Sequence, residues 1–186
     1  MVKYYHGTTA GGLSVLKPFI SPHANVKEEV VYLSANKAIT PLYIWKKEYM
    51  WITFHFRDDG MPVYRESYKN ALKELYDGVR GYIYTCEGAF STDNSTGIKV
   101  AVTSSVPVPI VDCEVVENAY ERIIAFEKSG ELIIRRYEEL TEQEHESNRK
   151  MVQGAIKGLN LLDGVHPLST FVAERFPELW EEAKQV

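Results

Sequence analysis

Apolar residues in the first 116 positions come mostly in short runs cut by glycine, proline and polar turns, and beyond 117 helical spacing dominates. The run 2–6 alternates weakly and is rich in tyrosine and valine, which predicts a strand broken by Gly7-Thr8-Thr9. Residues 10–16 read as a short helix stopped at Lys17-Pro18, and 19–29 as a loop. Residues 30–34 predict a second strand. Asn36 is placed to cap a helix carrying Leu42, Tyr43, Ile44 and Trp45 to about Lys47, with Pro41 near its first turn, where a missing N–H costs least. Strands follow at 51–56 and 61–64, separated by the turn Asp58-Asp59-Gly60. A helix at 67–76 ends at Asp77-Gly78, a strand occupies 81–86, and 89–96 is a polar loop. Two more strands are read at 98–103 and 106–116, the second confined to an edge or bend by Pro107 and Pro109.

The tail is patterned differently. Residues 118–126 predict a helix ended by Lys128-Ser129-Gly130, and 132–137 fits either a short strand or a helix. Thr141-Glu142-Gln143-Glu144 is a capping box that opens a helix to about Leu159. A last amphipathic helix spans 167–184, interrupted near Pro177. The expectation is an α+β chain with a β-rich domain at 1–116 and a helical extension at 117–186 packed on it. Phe171, Phe176, Leu179 and Trp180 in that extension would dock on the chain's own β-domain or form a partner or dimer surface.

Composition narrows the function classes. With 21 Lys and Arg against 26 Asp and Glu, the formal charge is −5, which argues against a nucleic-acid partner. The pairs Arg135-Arg136 and Arg149-Lys150 read as solvated faces rather than a phosphate-binding patch. Cys86 and Cys113 have no spacing suited to a metal and read as buried strand residues. No long apolar run opens the chain and no stretch of about 18 apolar residues occurs, so no signal peptide or membrane span is expected. A cytoplasmic protein with free thiols is the default that follows.

His6-Gly7-Thr8, then Tyr32-Leu33-Ser34, then Ala38 and Tyr43, resemble the first two motifs of the ADP-ribosyltransferase fold, as in the poly-ADP-ribose polymerase and tRNA 2′-phosphotransferase branches. The stretch 97–110 is similar to a late strand of the phosphotransferase branch. The resemblance covers about the first 115 residues. It implies an ADP-ribosyltransferase-like split β-sheet core that binds NAD, or an ADP-ribose-like dinucleotide, as substrate. It also implies transfer of ADP-ribose to an acceptor, such as a protein, that the sequence does not name. His6 would orient the nicotinamide ribose, and the backbone at Gly7 would approach the carboxamide. Thr8, Tyr32 and Ser34 would add contacts, and Tyr43 would stack on the nicotinamide ring. His6 equally fits a turn cap or a partner for a core carbonyl, and Tyr43 with Trp45 equally fits a packed aromatic pair.

The late acid of that family, which holds the ribose 2′-hydroxyl in the transition state, has no counterpart in 95–108, where Lys99, Thr103, Ser104 and Ser105 stand. Glu87 is the candidate catalytic acid, with Glu114 a second. The alternative is a catalytically inactive interaction module of the same fold. Arg57, Arg65, Arg80, His23 and His55 have no assigned role. No dinucleotide-binding glycine fingerprint, phosphate loop, nucleophile elbow or zinc signature occurs. Gly11-Gly12 fits an anion-binding nest or a plain turn.

Overall fold

The computed structural model describes residues 2–21, 27–45, 51–90, 96–98 and 100–185. The expectations for Pro22, His23, Lys47, Lys99 and most of the polar loop at 89–96 lie outside those residues. The strands are β1 (Lys3–Thr8), β2 (Val15–Leu16), β3 (Val31–Ser34), β4 (Ile52–Phe56), β5 (Pro62–Glu66), β6 (Gly81–Glu87), β7 (Ala101–Ser104), β8 (Val108–Pro109), β9 (Asp112–Val116) and β10 (Ile133–Arg135). The α-helices are α1 (Ala71–Tyr76), α2 (Ala119–Lys128), α3 (Glu142–Gly158), α4 (Leu168–Arg175) and α5 (Pro177–Ala183). Among the described residues the chain is mixed α+β, with antiparallel sheets and no barrel.

Two compact units are formed: Met1–Glu66 with Asn70–Ile134, and Ser67–Lys69 with Arg135–Val186. The division therefore does not fall at 116/117, where the hydrophobic pattern changes. Helix α2 stays with the β-rich unit because it buries Ala119, Ile123 and Phe126 there. Asn118 caps it through Tyr120 N–H at 3.0 Å, and its amide also donates to Asp77 at 2.8 Å.

In the first unit a five-stranded sheet runs β7-β3-β1-β6-β9, so the strand bearing His6 is central. Opposed residues in an antiparallel sheet share a face, and neighbours along a strand alternate. One face carries Tyr4, Leu33, Tyr84, Cys86 and Val102, and packs on Leu16 and Val108 of the β2–β8 ribbon. A 3-10 helix, Lys37–Tyr43, packs against Gly7 on the other face and buries Ile39 and Leu42, with Ile44 following. Asn36 caps that helix through Ala38 N–H at 2.8 Å, as its position suggested. Pro41 withholds an N–H inside the helix, and the turn stays tight rather than opening into an α-helix. Two wholly buried phenols secure its carbonyls: Tyr64 donates to Ala38 at 2.7 Å and Tyr76 to Leu42 at 3.0 Å. Burial, more than neighbouring charge, raises the pKa of both tyrosines above the ordinary range, so they act as donors throughout.

Several elements differ from the sequence reading for local reasons. Gly7 does not break β1 but lies inside it, paired with Ile83. Residues 10–16 are not helical: Gly11 packs under the Tyr82 ring, and Gly12 takes φ +73°, which a helix does not accommodate. The run 106–116 divides into β8 and β9, the two prolines standing before the break. The undecided 132–137 segment is strand β10 followed by a 3-10 turn, Tyr137–Glu139. Cys86 is buried as expected, and burial pushes its thiol up to about 11, but Cys113 is exposed on the edge strand β9.

In the second unit α3 is opened by the expected capping box. Glu144 accepts from Thr141 N–H at 2.8 Å, and Thr141 Oγ1 accepts from Glu144 N–H at 3.3 Å. Helix α3 buries Asn148, Val152 and Ile156, one stripe at four-residue spacing. Pro177 divides the last helix into α4 and α5. Phe171 and Phe176 stand edge-on to Tyr68 at 5.7 and 5.8 Å, and Phe171 and Leu179 are buried.

A Cβ built on Gly7 overlaps the carbonyl oxygen of Thr40, which is backbone and cannot swing aside. Gly7→Ala is expected to lower stability by roughly 2–3 kcal/mol, measured as a reduced urea midpoint with an unchanged slope.

Candidate functional site

His6 is placed where two strands part. β1 and β3 pair at the single position Tyr5↔Ser34, whereas β1 and β6 pair at every step from Lys3↔Glu87 to Thr8↔Tyr82. Continuing the β1–β3 register would set His6 against Leu33 and Gly7 against Tyr32. Instead the His6 side chain enters the gap, and its Nδ1 lies 2.8 Å from the Tyr32 carbonyl oxygen. A carbonyl oxygen only accepts, so Nδ1 carries the proton and Nε2 presents a lone pair. Burial holds the His6 pKa below the ordinary histidine value, and the Tyr32 hydrogen bond offsets part of that effect. A neutral imidazole of fixed tautomer, with one acceptor nitrogen uncommitted, follows from this geometry.

The other expected residues divide into two groups. Gly7, Thr8 and Tyr32 lie at the parting of β1 and β3. Tyr32 Oη is buried with no hydrogen-bond partner, a demand that water or a ligand must meet. Thr8 Oγ1 accepts from Ala10 N–H at 3.1 Å and shapes the turn after β1. Ser34 is committed to the backbone: its Oγ donates to the Asn36 carbonyl at 2.9 Å and accepts from Asn36 N–H at 3.0 Å. Its function there is to start the 3-10 helix. Tyr43 ends that helix, is 37% exposed, and its ring stands 6.0 Å from Trp45 in a tilted pair. Burial raises its phenol pKa. It makes no direct bond to His6 among the described contacts.

Neither acid joins His6. Glu87 opposes Lys3 while His6 opposes Tyr84, so the two lie on opposite faces. They are also three residues apart along the ladder, about 10 Å. Glu114 lies in β9 opposite Ile83 and is gripped by Lys37 at 2.7 Å and Arg122 at 2.6 Å. Burial opposes its charge, but the two cations outweigh it and hold the carboxyl below its usual range. Glu87 is ruled out by the β1–β6 register, a long-range pairing that no local pattern in the sequence fixes.

The loop between β1 and β2 is fixed over the same end of the sheet. Tyr84 Oη donates to the Ala10 carbonyl at 3.0 Å and accepts from Leu13 N–H at 3.2 Å. Arg80 donates to Tyr82 Oη and to Glu117, both at 3.0 Å. Arg57 pairs with Asp59, and Arg65 donates to Thr53, so both have structural partners. His55 lies in β4. Among the described residues no cluster of three or more His, Cys, Asp or Glu side chains is arranged to hold a metal. No helix among them is long and apolar enough to cross a membrane. Comparison with protein-family models, curated proteins and solved structures finds no match to the chain.

The depressed pKa of His6 fixes a pH dependence. Between its folded pKa and the ordinary value of about 6.5 the unfolded chain binds more protons, so stability falls as the solution is acidified through that window. The stability difference between wild type and His6→Gln, from urea melts at pH 7.5 and pH 5, is expected to shrink at the lower pH. An NMR titration of His6 should give a midpoint under the ordinary value.

Proposed function

We propose that the β-rich unit is an ADP-ribosyltransferase-like module that binds NAD, or an ADP-ribose-like dinucleotide, at the parting of β1 and β3. The observation that carries this reading is His6, held by the Tyr32 carbonyl with Nε2 left as an acceptor. The buried Tyr32 hydroxyl supports it, as does Tyr43 on the segment that follows β3. In this reading a ribose hydroxyl donates to His6 Nε2, and the ligand passes through the gap between β1 and β3 so that Tyr43, on the 3-10 helix of the other face, receives the flat nicotinamide ring. If the bound NAD reacts, the nicotinamide–ribose C–N bond breaks, nicotinamide leaves with the bonding pair, and an acceptor nucleophile attacks the ribose carbon and gives up a proton.

The second reading, binding or partner recognition without transfer, is favoured by a separate observation. Glu87 is on the opposite face from His6 and Glu114 is neutralised by Lys37 and Arg122, so neither candidate acid stands ready to stabilise a ribosyl cation.

Calorimetric titration of the full chain with NAD tests the binding claim. Saturable binding is expected, abolished in His6→Ala and weakened roughly tenfold in Tyr43→Ala, with Glu87→Gln unchanged. Equal affinity in wild type and His6→Ala would reject the site. Nicotinamide release from the bound complex separates the transferring reading from the binding one.

A further inference from the structure

The second unit holds a cavity of about 530 Å³, within the usual range for a small ligand. Helix α3 lines it with Glu142, His145, Glu146 and Arg149, the i, i+3, i+4 and i+7 positions of one stripe. Ser67 and Phe176 complete the part that matters. Ser67 is 1% exposed, and its hydroxyl has no hydrogen-bond partner. A buried hydroxyl left unmet costs about 1–3 kcal/mol, so its persistence on a cavity wall points to a ligand group that reaches it.

The charge around the cavity sets the class of ligand. Arg149 is held by Glu182 at 2.9 and 3.0 Å, and Arg175 is engaged within the protein. Glu146 is shared, 3.9 Å from Arg149 and 3.6 Å from Lys150. Glu142 and Glu178 are exposed and enter no ion pair among the described residues. Arg149 is thus spoken for, and the three carboxylates of the lining, Glu142, Glu146 and Glu178, outnumber the lining's two guanidinium groups. The lining also carries aromatic rings: Phe176, and Tyr137 with His145 edge-on at 4.8 Å.

We propose that this cavity binds a small aromatic amine carrying a second polar group. The ammonium lies at the rim between Glu142 and Glu178, the ring lies against Phe176 and Tyr137, and the second polar group bonds to Ser67 Oγ. The arrangement separates a charged end from a buried hydrogen-bonding end, and a molecule of that shape satisfies both. This inference does not depend on the dinucleotide reading of the β-rich unit.

Tyramine is the probe, with 4-hydroxyphenylacetate as its charge-reversed analogue, each titrated into the full chain by calorimetry and by thermal melting. Tyramine is expected to bind saturably and raise the melting temperature, and 4-hydroxyphenylacetate to do neither. Ser67→Ala should keep or raise the melting temperature of the free protein, because it removes an unmet hydroxyl, while losing the tyramine-induced rise. The surface variant Glu142→Gln/Glu178→Gln should weaken tyramine roughly fivefold. The proposal is overturned if tyramine shows no saturable binding up to about 10 mM or if 4-hydroxyphenylacetate binds as well. It is also overturned if the double variant binds tyramine as the wild type does. Should Ser67→Ala fail to fold, the double variant and the charge-reversed analogue decide the matter.

Discussion

The lack of a side chain at Gly7 is the constraint on which the β-rich unit depends. It lets the Thr40 carbonyl lie against the central strand, and with it the 3-10 helix that follows β3. That helix in turn brings Ile44 against Gly81, a second position where a Cβ would collide. Two glycines on neighbouring strands therefore form a flat seat for one short helix, and Tyr64 and Tyr76 fix its carbonyls from the other side. A residue pattern that reads as a turn is instead a close-approach surface. The strand continues through it, so the chain keeps a complete β1–β6 ladder while β1 and β3 separate.

That separation is where the candidate site lies. A backbone ladder would have used the Tyr32 carbonyl, but a side chain uses it instead. The substitution leaves His6 neutral, buried enough to resist protonation, and fixed in one tautomer. Catalytic and binding histidines gain from all three properties. So does a histidine that merely closes a gap in a sheet, and the uncommitted Nε2 is what distinguishes the two cases. The carboxylates argue for restraint about transfer: β-sheet parity removes Glu87, and a two-cation clasp removes Glu114.

Much of the fold was legible in the sequence because it rests on local rules. The Thr141 capping box, the Asn36 cap, the Asp58-Asp59-Gly60 turn and the division at Pro177 each depend on residues within a few positions. The missed features depend on residues far apart. Gly7 is inside a strand because of Thr40, Gly11 is non-helical because of Tyr82, and α2 belongs with the β-rich unit because of what its buried face meets. The candidate site was legible in part. His6, Tyr32 and Tyr43 could be named, but Ser34 turned out to serve the backbone, since its hydroxyl finds Asn36 two residues on. The orphaned hydroxyl of Ser67 had no sequence signal, because burial and the want of a partner are properties of the folded chain alone.

The central claim is that His6 Nε2 is a ligand acceptor and not only a filler of the β1–β3 gap. The most direct measurement is NMR of the imidazole nitrogens in histidine-labelled protein, with NAD added. The account predicts Nδ1 protonated in the free protein, and a saturable shift at His6 Nε2 while His55, His145 and His166 stay unmoved. A free protein protonated at Nε2, or His6 signals indifferent to NAD, would contradict it.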